Sequence, residues 1–117
     1  MTVRAIPIAR NVQLPAAAAT QFTGPANTVT VIKRAVFTNT SAGNRAVSAH
    51  VVPSGATASN STLILNGQEL TAPPGIGSSY VAPELAGVVL NPGDSLQCFA
   101  DAAASVTLNV NGIQQLP

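Results

Sequence analysis

Charge is scarce in this chain of 117 residues. Lysine, arginine, aspartate and glutamate together make up 8% of it, and the formal net charge is +1. A typical soluble domain carries about 25% charged residues. Binding driven by phosphate neutralisation needs a dense basic stripe, so a sequence-specific nucleic-acid partner is not expected. Tryptophan is absent, and three phenylalanines and one tyrosine are the whole aromatic complement. Carbohydrate and base-stacking platforms are correspondingly few. The single cysteine, Cys98, excludes an internal disulfide framework. No apolar run approaches the roughly 20 residues of a membrane-spanning helix, so no membrane partner is expected. Pro7, Arg10 and Pro15 interrupt the N-terminal region, which does not read as a signal peptide. The triplets Asn39-Thr40-Ser41 and Asn60-Ser61-Thr62 fit the glycosylation pattern but are discounted without a secretion signal.

Hydrophobic residues nevertheless reach 46%, and twenty of them are alanine. The core must therefore come from Val, Leu and Ile, and the surface from Ala, Thr, Ser, Asn and Gly. Disorder is disfavoured by this balance. Folded-surface scaling gives roughly 5,900 Å² of accessible area, enough for one modest core. So few surface charges defend a lone molecule poorly against association. The expectation is a subunit partly covered by neighbours.

The pattern is that of strands. Residues 1–27 read as an N-terminal arm with weak regular structure, in which Val3 to Ile8 could pair. Thr28 to Phe37 alternates until Ile32 breaks the period, which predicts a bulge near Lys33 and Arg34. Thr38 to Arg45 is a loop. Ala46 to Val52 forms a strand ending at Pro53-Ser54-Gly55. Thr62 to Leu65 and Gln68 to Ala72 read as two short strands joined by an Asn66-Gly67 hairpin turn. A loop spans Pro73 to Ser79, and one or two edge segments lie between Tyr80 and Leu90. Asn91-Pro92-Gly93-Asp94 is a turn. Ser95 to Asp101 and Ser105 to Asn111 are strands, the latter with Val106, Leu108 and Val110 inward. The fold class expected is all-β: a single β-sandwich over 28–117, jelly-roll-like with an Ig-like sandwich as the alternative, preceded by an extended N-terminal arm over 1–27.

Chemistry is harder to find. A metal site needs three or four ligands at workable spacing. His50, Cys98 and the carboxylates Glu69, Glu84, Asp94 and Asp101 supply none. A Cys98–His50 nucleophile pair would need an orienting group and an oxyanion hole that no motif suggests. Gly75-Ile76-Gly77-Ser78-Ser79 lacks the following helix and nearby base of a phosphate loop. No catalytic residue, metal or cofactor is expected, and the chain does not read as an enzyme. One feature stands out. All five bases (Arg4, Arg10, Lys33, Arg34 and Arg45) lie in the first 45 residues, and all four acids lie between 69 and 101. The segments either fold against each other or meet between subunits.

Four stretches read together carry a resemblance: Phe37 to Ser41 (FTNTS), Val47 to Gly55 (VSAHVVPSG), Leu90 to Gln97 (LNPGDSLQ) and Val106 to Ile113 (VTLNVNGI). In this order they resemble small β-sandwich virion proteins of tailed bacteriophages. The resemblance covers about residues 28–113 and implies a non-enzymatic structural role, capsid decoration first, with tail, neck or head-fibre attachment beside it. It implies synthesis in the host cytoplasm, a place on the capsid surface, and the major capsid protein as partner. A small homo-oligomer is expected, a trimer ahead of a dimer. The arm would then anchor to a neighbour through Val3, Ile6, Ile8, Val12 and Leu14, with Arg4 and Arg10 setting register and Lys33-Arg34 re-aimed by the bulge. On that reading, deleting residues 1–14 abolishes binding and leaves the body folded. A reading from another class is a carbohydrate-binding attachment module, with Tyr80 as its platform; Phe37 and Phe99 suit a core.

Overall fold

A computed structural model describes residues 2–73 and 77–116. Nine strands follow in order: β1 (Thr2–Gln13), β2 (Ala19–Thr23), β3 (Val29–Asn39), β4 (Arg45–Val52), β5 (Leu63–Leu70), β6 (Ser79–Val81), β7 (Val89–Leu90), β8 (Ser95–Ala100) and β9 (Val106–Leu116). A single 3₁₀ turn, Asn60–Thr62, precedes β5. One sheet has the order β1-β9-β3-β6, with β7 also on β3; the other has the order β2-β8-β4-β5. Every pairing is antiparallel.

The pairings nest. β1 lies on β9, β2 on β8, β3 on β6 and β7, and β4 on β5. The chain is thus one long antiparallel ribbon with its tip at β4–β5. Rolling that ribbon brings β9 onto β3 and β8 onto β4, which makes the two sheets. This is a jelly roll and not the Ig-like alternative. The core fills the space between the sheets with Leu14, Ile32, Phe37, Val47, Leu70, Leu85, Leu90, Leu96, Val106 and Leu108, all fully buried. Aliphatic side chains dominate it, as the composition requires.

The arm is corrected. Residues 2–23 are edge strands, one on each sheet, and Ile8, Ala9 and Leu14 are buried in the chain's own core. The accessible surface is 5848 Å² and the radius of gyration 14.0 Å, close to the roughly 5,900 Å² and 13 Å of a fully packed chain of this length. A free arm would raise both. The arm looked irregular because β1 slips register between Pro7 and Ala9 and again between Ala9 and Val12, with Asn11 at φ 52°. Each bulge shifts the inward phase and hides the alternation.

The β3 bulge falls where the broken period put it, between Ile32 and Arg34. Asn66-Gly67 does not turn a hairpin. β5 runs straight through it, and the register shift between Val47 and Ala49 makes it a bulge. Gly67, at φ 67°, donates its N–H to Ser48 Oγ at 2.9 Å. Of the Pro73 to Ser79 loop, residues 74–76 lie outside the described residues.

Three of the four stretches that carry the resemblance hold the corners of the roll. Asn39 is 2% exposed; its Nδ2 donates to the carbonyls of Gly43, Leu70 and Thr71, and its Oδ1 accepts from Ser41 N and Oγ. It fastens the end of β3 to the end of β5. At the opposite corner the 91–94 turn closes with Asp94 N donating to Asn91 O at 3.0 Å. Asp94 carboxylate oxygens accept from Ser54 N and Asn91 N, each at 3.0 Å. The Pro-Ser-Gly end of β4 and the Pro-Gly-Asp turn therefore touch, which their separation in sequence does not reveal.

Candidate functional site: the outer face of the first sheet

Ladder partners share a face, so the register tells which side chains leave the core. Leu108, Val110 and Gly112 of β9 point inward, and Asn109, Asn111, Ile113 and Gln115 point outward. Across the strands this builds an outward row of Ala5, Ile113, Val31 and Val89, and a second of Val3, Gln115 and Val29. Val36 and Val81 pair at the other end of the sheet. Among the described residues, three large hydrophobic side chains are exposed: Val3 at 59%, Val81 at 50% and Val89 at 49%. All three lie on this one face.

The bases converge on the same face. The cross-strand row Pro7, Asn111, Arg34 places Arg34 beside the centre of the sheet, with exposed Lys33 next to it. Arg10, from the β1 bulge, lines a shallow hollow with Pro7, Ala9, Asn109, Val110 and Asn111. No carboxylate of the described residues lies within ion-pairing distance of Arg10, Lys33 or Arg34. Arg4 is different. It shares the inward-facing row of Gln114 and Thr30, and its Nε and Nη2 donate to Gln114 Oε1 at 3.2 and 3.0 Å.

The nine sequence-proposed contact residues therefore divide. Ile8 and Leu14 are buried, and Ile6 and Val12 pack against the core, so these four anchor β1 to its own domain and not to a neighbour. Arg4 is engaged in a polar row. Val3, Arg10, Lys33 and Arg34 remain outward and available. Asn109, Asn111, Val31, Val89 and Ile113 join them, and single-strand patterning could not have found that, because their grouping is a matter of register.

The charge segregation is intramolecular in one instance: Arg45 Nε stands 3.9 Å from Asp101 Oδ1. Glu84 accepts from the Tyr80 hydroxyl at 2.8 and 3.0 Å. That hydrogen bond, then desolvation and the carboxylate charge, raise the Tyr80 phenol above its usual value. The Tyr80 ring packs against the core and shares a row with Phe37, so it does not offer an open stacking face.

The outer face of the second sheet is more closed. His50, 6% exposed, stacks on Phe99 with ring centroids 5.9 Å apart. Phe99 thus sits half-buried outside the main core, against the expectation that it joins it. His50 Nδ1 lies within hydrogen-bond distance of Thr62 Oγ1, at 2.8 Å, and that hydroxyl also stands 2.9 Å from Ser59 O. The histidine roofs the loop before β5. Cys98 is wholly buried, and burial pushes its thiol up to about 12, which makes it a poor nucleophile. Among the described residues, no group of three or more His, Cys, Asp or Glu side chains is placed to hold a metal ion.

No protein-family model matches the chain, and no curated protein matches it. Solved structures do. A chain in the structure of infectious bursal disease virus, Gx strain, superposes with a TM-score of 0.57 at 15% identity, over 98% of this chain and 32% of that one. A chain of the T13 particle of the same virus gives a TM-score of 0.50 at 14% identity, over 98% and 31%. The chain spans about a third of the length of the solved chains it matches. At this identity the shared property is the fold: a jelly roll also found within an icosahedral virus particle.

Proposed function

We propose that the chain is a structural component of a virus particle, a capsid decoration protein that binds the major capsid protein on the outside of the shell and carries no catalysis. The observation that supports this best is the outer face of the first sheet. It gathers every exposed large hydrophobic side chain of the described residues beside three bases without acidic partners. Contiguous apolar surface rimmed by polar groups marks a protein contact. The jelly-roll likeness to a virus-particle chain and the turn motifs resembling phage virion proteins agree with this reading. A subunit that bridges shell proteins contributes free energy only in the assembled state, and repeated weak contacts act together across the lattice. A trimer is the expected solution form, ahead of a dimer.

The test adds purified protein to shells that lack it, followed by co-sedimentation, imaging of the particles and sedimentation analysis of the free protein. Occupancy of hundreds of copies per particle is the expected result. Three to a dozen copies would move the protein to a tail, neck or head-fibre position. A monomer at high concentration with no shell affinity overturns the proposal.

A further inference from the structure

Bulges flank β9 on both sides. β1 slips opposite Asn111 and Val110, and β3 slips opposite Gly112 and Asn111. A bulge re-aims the side chains of its strand. The β3 bulge places Lys33 and Arg34 beside Asn111, and Arg10, from the second β1 slip between Ala9 and Val12, reaches the hollow next to Asn109 and Asn111 from the other side. The hollow between Arg10 and Asn111 measures about 110 Å³. Small-molecule sites run to roughly 300–1,000 Å³. This one suits a single side-chain head group.

Its lining donates. Asn109 Oδ1 is already taken by the Asn11 N–H at 2.9 Å, which leaves the Asn109 amide NH₂ as its free function. Arg10, in the lining, carries only donors, and so do Arg34, the cross-strand partner of Asn111, and its neighbour Lys33. A cradle of cations and amide donors selects an anionic acceptor, and planar guanidinium groups suit a carboxylate.

Among the described residues most of the chain's own side-chain carboxylates are engaged elsewhere. Asp94 is bonded to two backbone amides, Asp101 stands beside Arg45, and Glu84 accepts from Tyr80. Among the described residues Glu69 is the carboxylate left without a partner. A second copy would bring one such group to three cations. Nucleic acid fits poorly as well. The next outward row along β9 is Ala5, Ile113, Val31 and Val89, aliphatic throughout, with no aromatic ring for a base to stack on.

We infer that this double-bulge cradle binds the carboxylates of an acidic segment on a different protein, one that carries aliphatic side chains beside its acids. The inference deepens the reading above, on which that segment belongs to the shell. The carboxylates occupy Arg10, Lys33 and Arg34, and the aliphatic flank covers Val31, Ile113 and Val89. The contact sets orientation and register, while the apolar row supplies most of the burial.

The experiment titrates the full chain with poly-L-glutamate, and separately with duplex DNA, while backbone amide resonances are followed. Poly-L-glutamate is expected to shift the amides around Arg10, Lys33, Arg34, Asn109 and Asn111 and to leave β4 and β5 unmoved. The double variant Arg10→Gln, Arg34→Gln should weaken that binding about tenfold or more with an unchanged melting temperature, and Arg34→Lys should retain most of it. Shifts elsewhere, no shifts, or tighter binding of DNA than of poly-L-glutamate at equal ionic strength overturn the inference. Shell binding by Arg10→Glu, Arg34→Glu at wild-type strength overturns it too. If the cradle titrates as expected and the wild-type protein binds no shell, the decoration reading fails and the cradle stands.

Discussion

Gly112 should be among the least replaceable residues of the chain, and the reason is space. β9 runs between β1 and β3, with Gly112 opposite Ile6 on one side and Ile32 on the other. A Cβ added there would overlap the Val31 carbonyl oxygen and lie 2.7 Å from Ile8 Cδ1 and 3.1 Å from the Val31 carbonyl carbon. Ile8 could rotate away; a ladder carbonyl cannot. Relief requires β3 to retreat by about 1 Å, enough to break one or two ladder hydrogen bonds at about 1 kcal/mol each. Overpacking of the neighbouring side chains adds about 1–3 kcal/mol. Gly112→Ala should therefore cost about 2–5 kcal/mol, against a total of roughly 6–18 kcal/mol for a domain of this size. At about 4 °C per kcal/mol the melting temperature falls by about 8–20 °C. Gly67→Ala is the control. Gly67 sits at φ 67° with nothing within 4 Å of the added atom, so backbone strain of about 1–2 kcal/mol is the whole effect. Melting followed by far-ultraviolet circular dichroism compares the two. A Gly112→Ala protein that melts within a few degrees of wild type, or above Gly67→Ala, would show that the β9–β3 contact is not as tight as described.

Three other outcomes are expected. Asn39→Ala removes the amide whose two N–H groups are shared among the Gly43, Leu70 and Thr71 carbonyls, and the oxygen that accepts from Ser41, at a buried corner; it should cost about 3 kcal/mol, read from urea unfolding, and a loss under 1 kcal/mol refutes the corner role. Removal of residues 2–14 takes Ile8, Ala9 and Leu14 from the core and bares β9, at about 1.5–3 kcal/mol for each large side chain, so the truncated chain should fail to fold cooperatively; a dispersed amide spectrum from it would contradict this. Cys98 holds its proton to about 12 when folded and ionises near 9.0 when unfolded. Stability from this group is thus complete below pH 9 and declines as pH rises toward 12, by at most about 1.4 kcal/mol per pH unit. Cys98→Ala should flatten that alkaline decline in urea titrations, and an identical pH profile for the variant would rule the thiol out.

What could be read from the amino acids was whatever is decided locally. The 91–94 turn, the inward set Val106, Leu108 and Val110, and the β3 bulge each depend on a few consecutive residues, and each stands in the structure. Asn66-Gly67 shows the limit of such signals: the pair announces a positive φ, and a bulge satisfies that as well as a hairpin does. β1 was obscured because its two bulges reset the phase and because its partner, β9, lies at the far end of the sequence. The site divided on the same line. Lys33 and Arg34 could be singled out from a broken period, whereas their convergence with Arg10, Asn109 and Asn111 depends on three strands in register.

The nested ribbon also dictates when the domain can form. β9 is the inner strand that joins β1 to β3, and it is the last of the nine strands in sequence order. Until it leaves the ribosome the first sheet has a gap at its centre, with long strands bare on both sides. The hairpin-like β4–β5 pair, near mid-chain, is the natural early nucleus, and closure waits on contacts of high sequence separation, a topology that folds in milliseconds to seconds. The nascent chain therefore carries a long interval of aggregation risk, and productive yield should depend on how quickly the final strand is inserted.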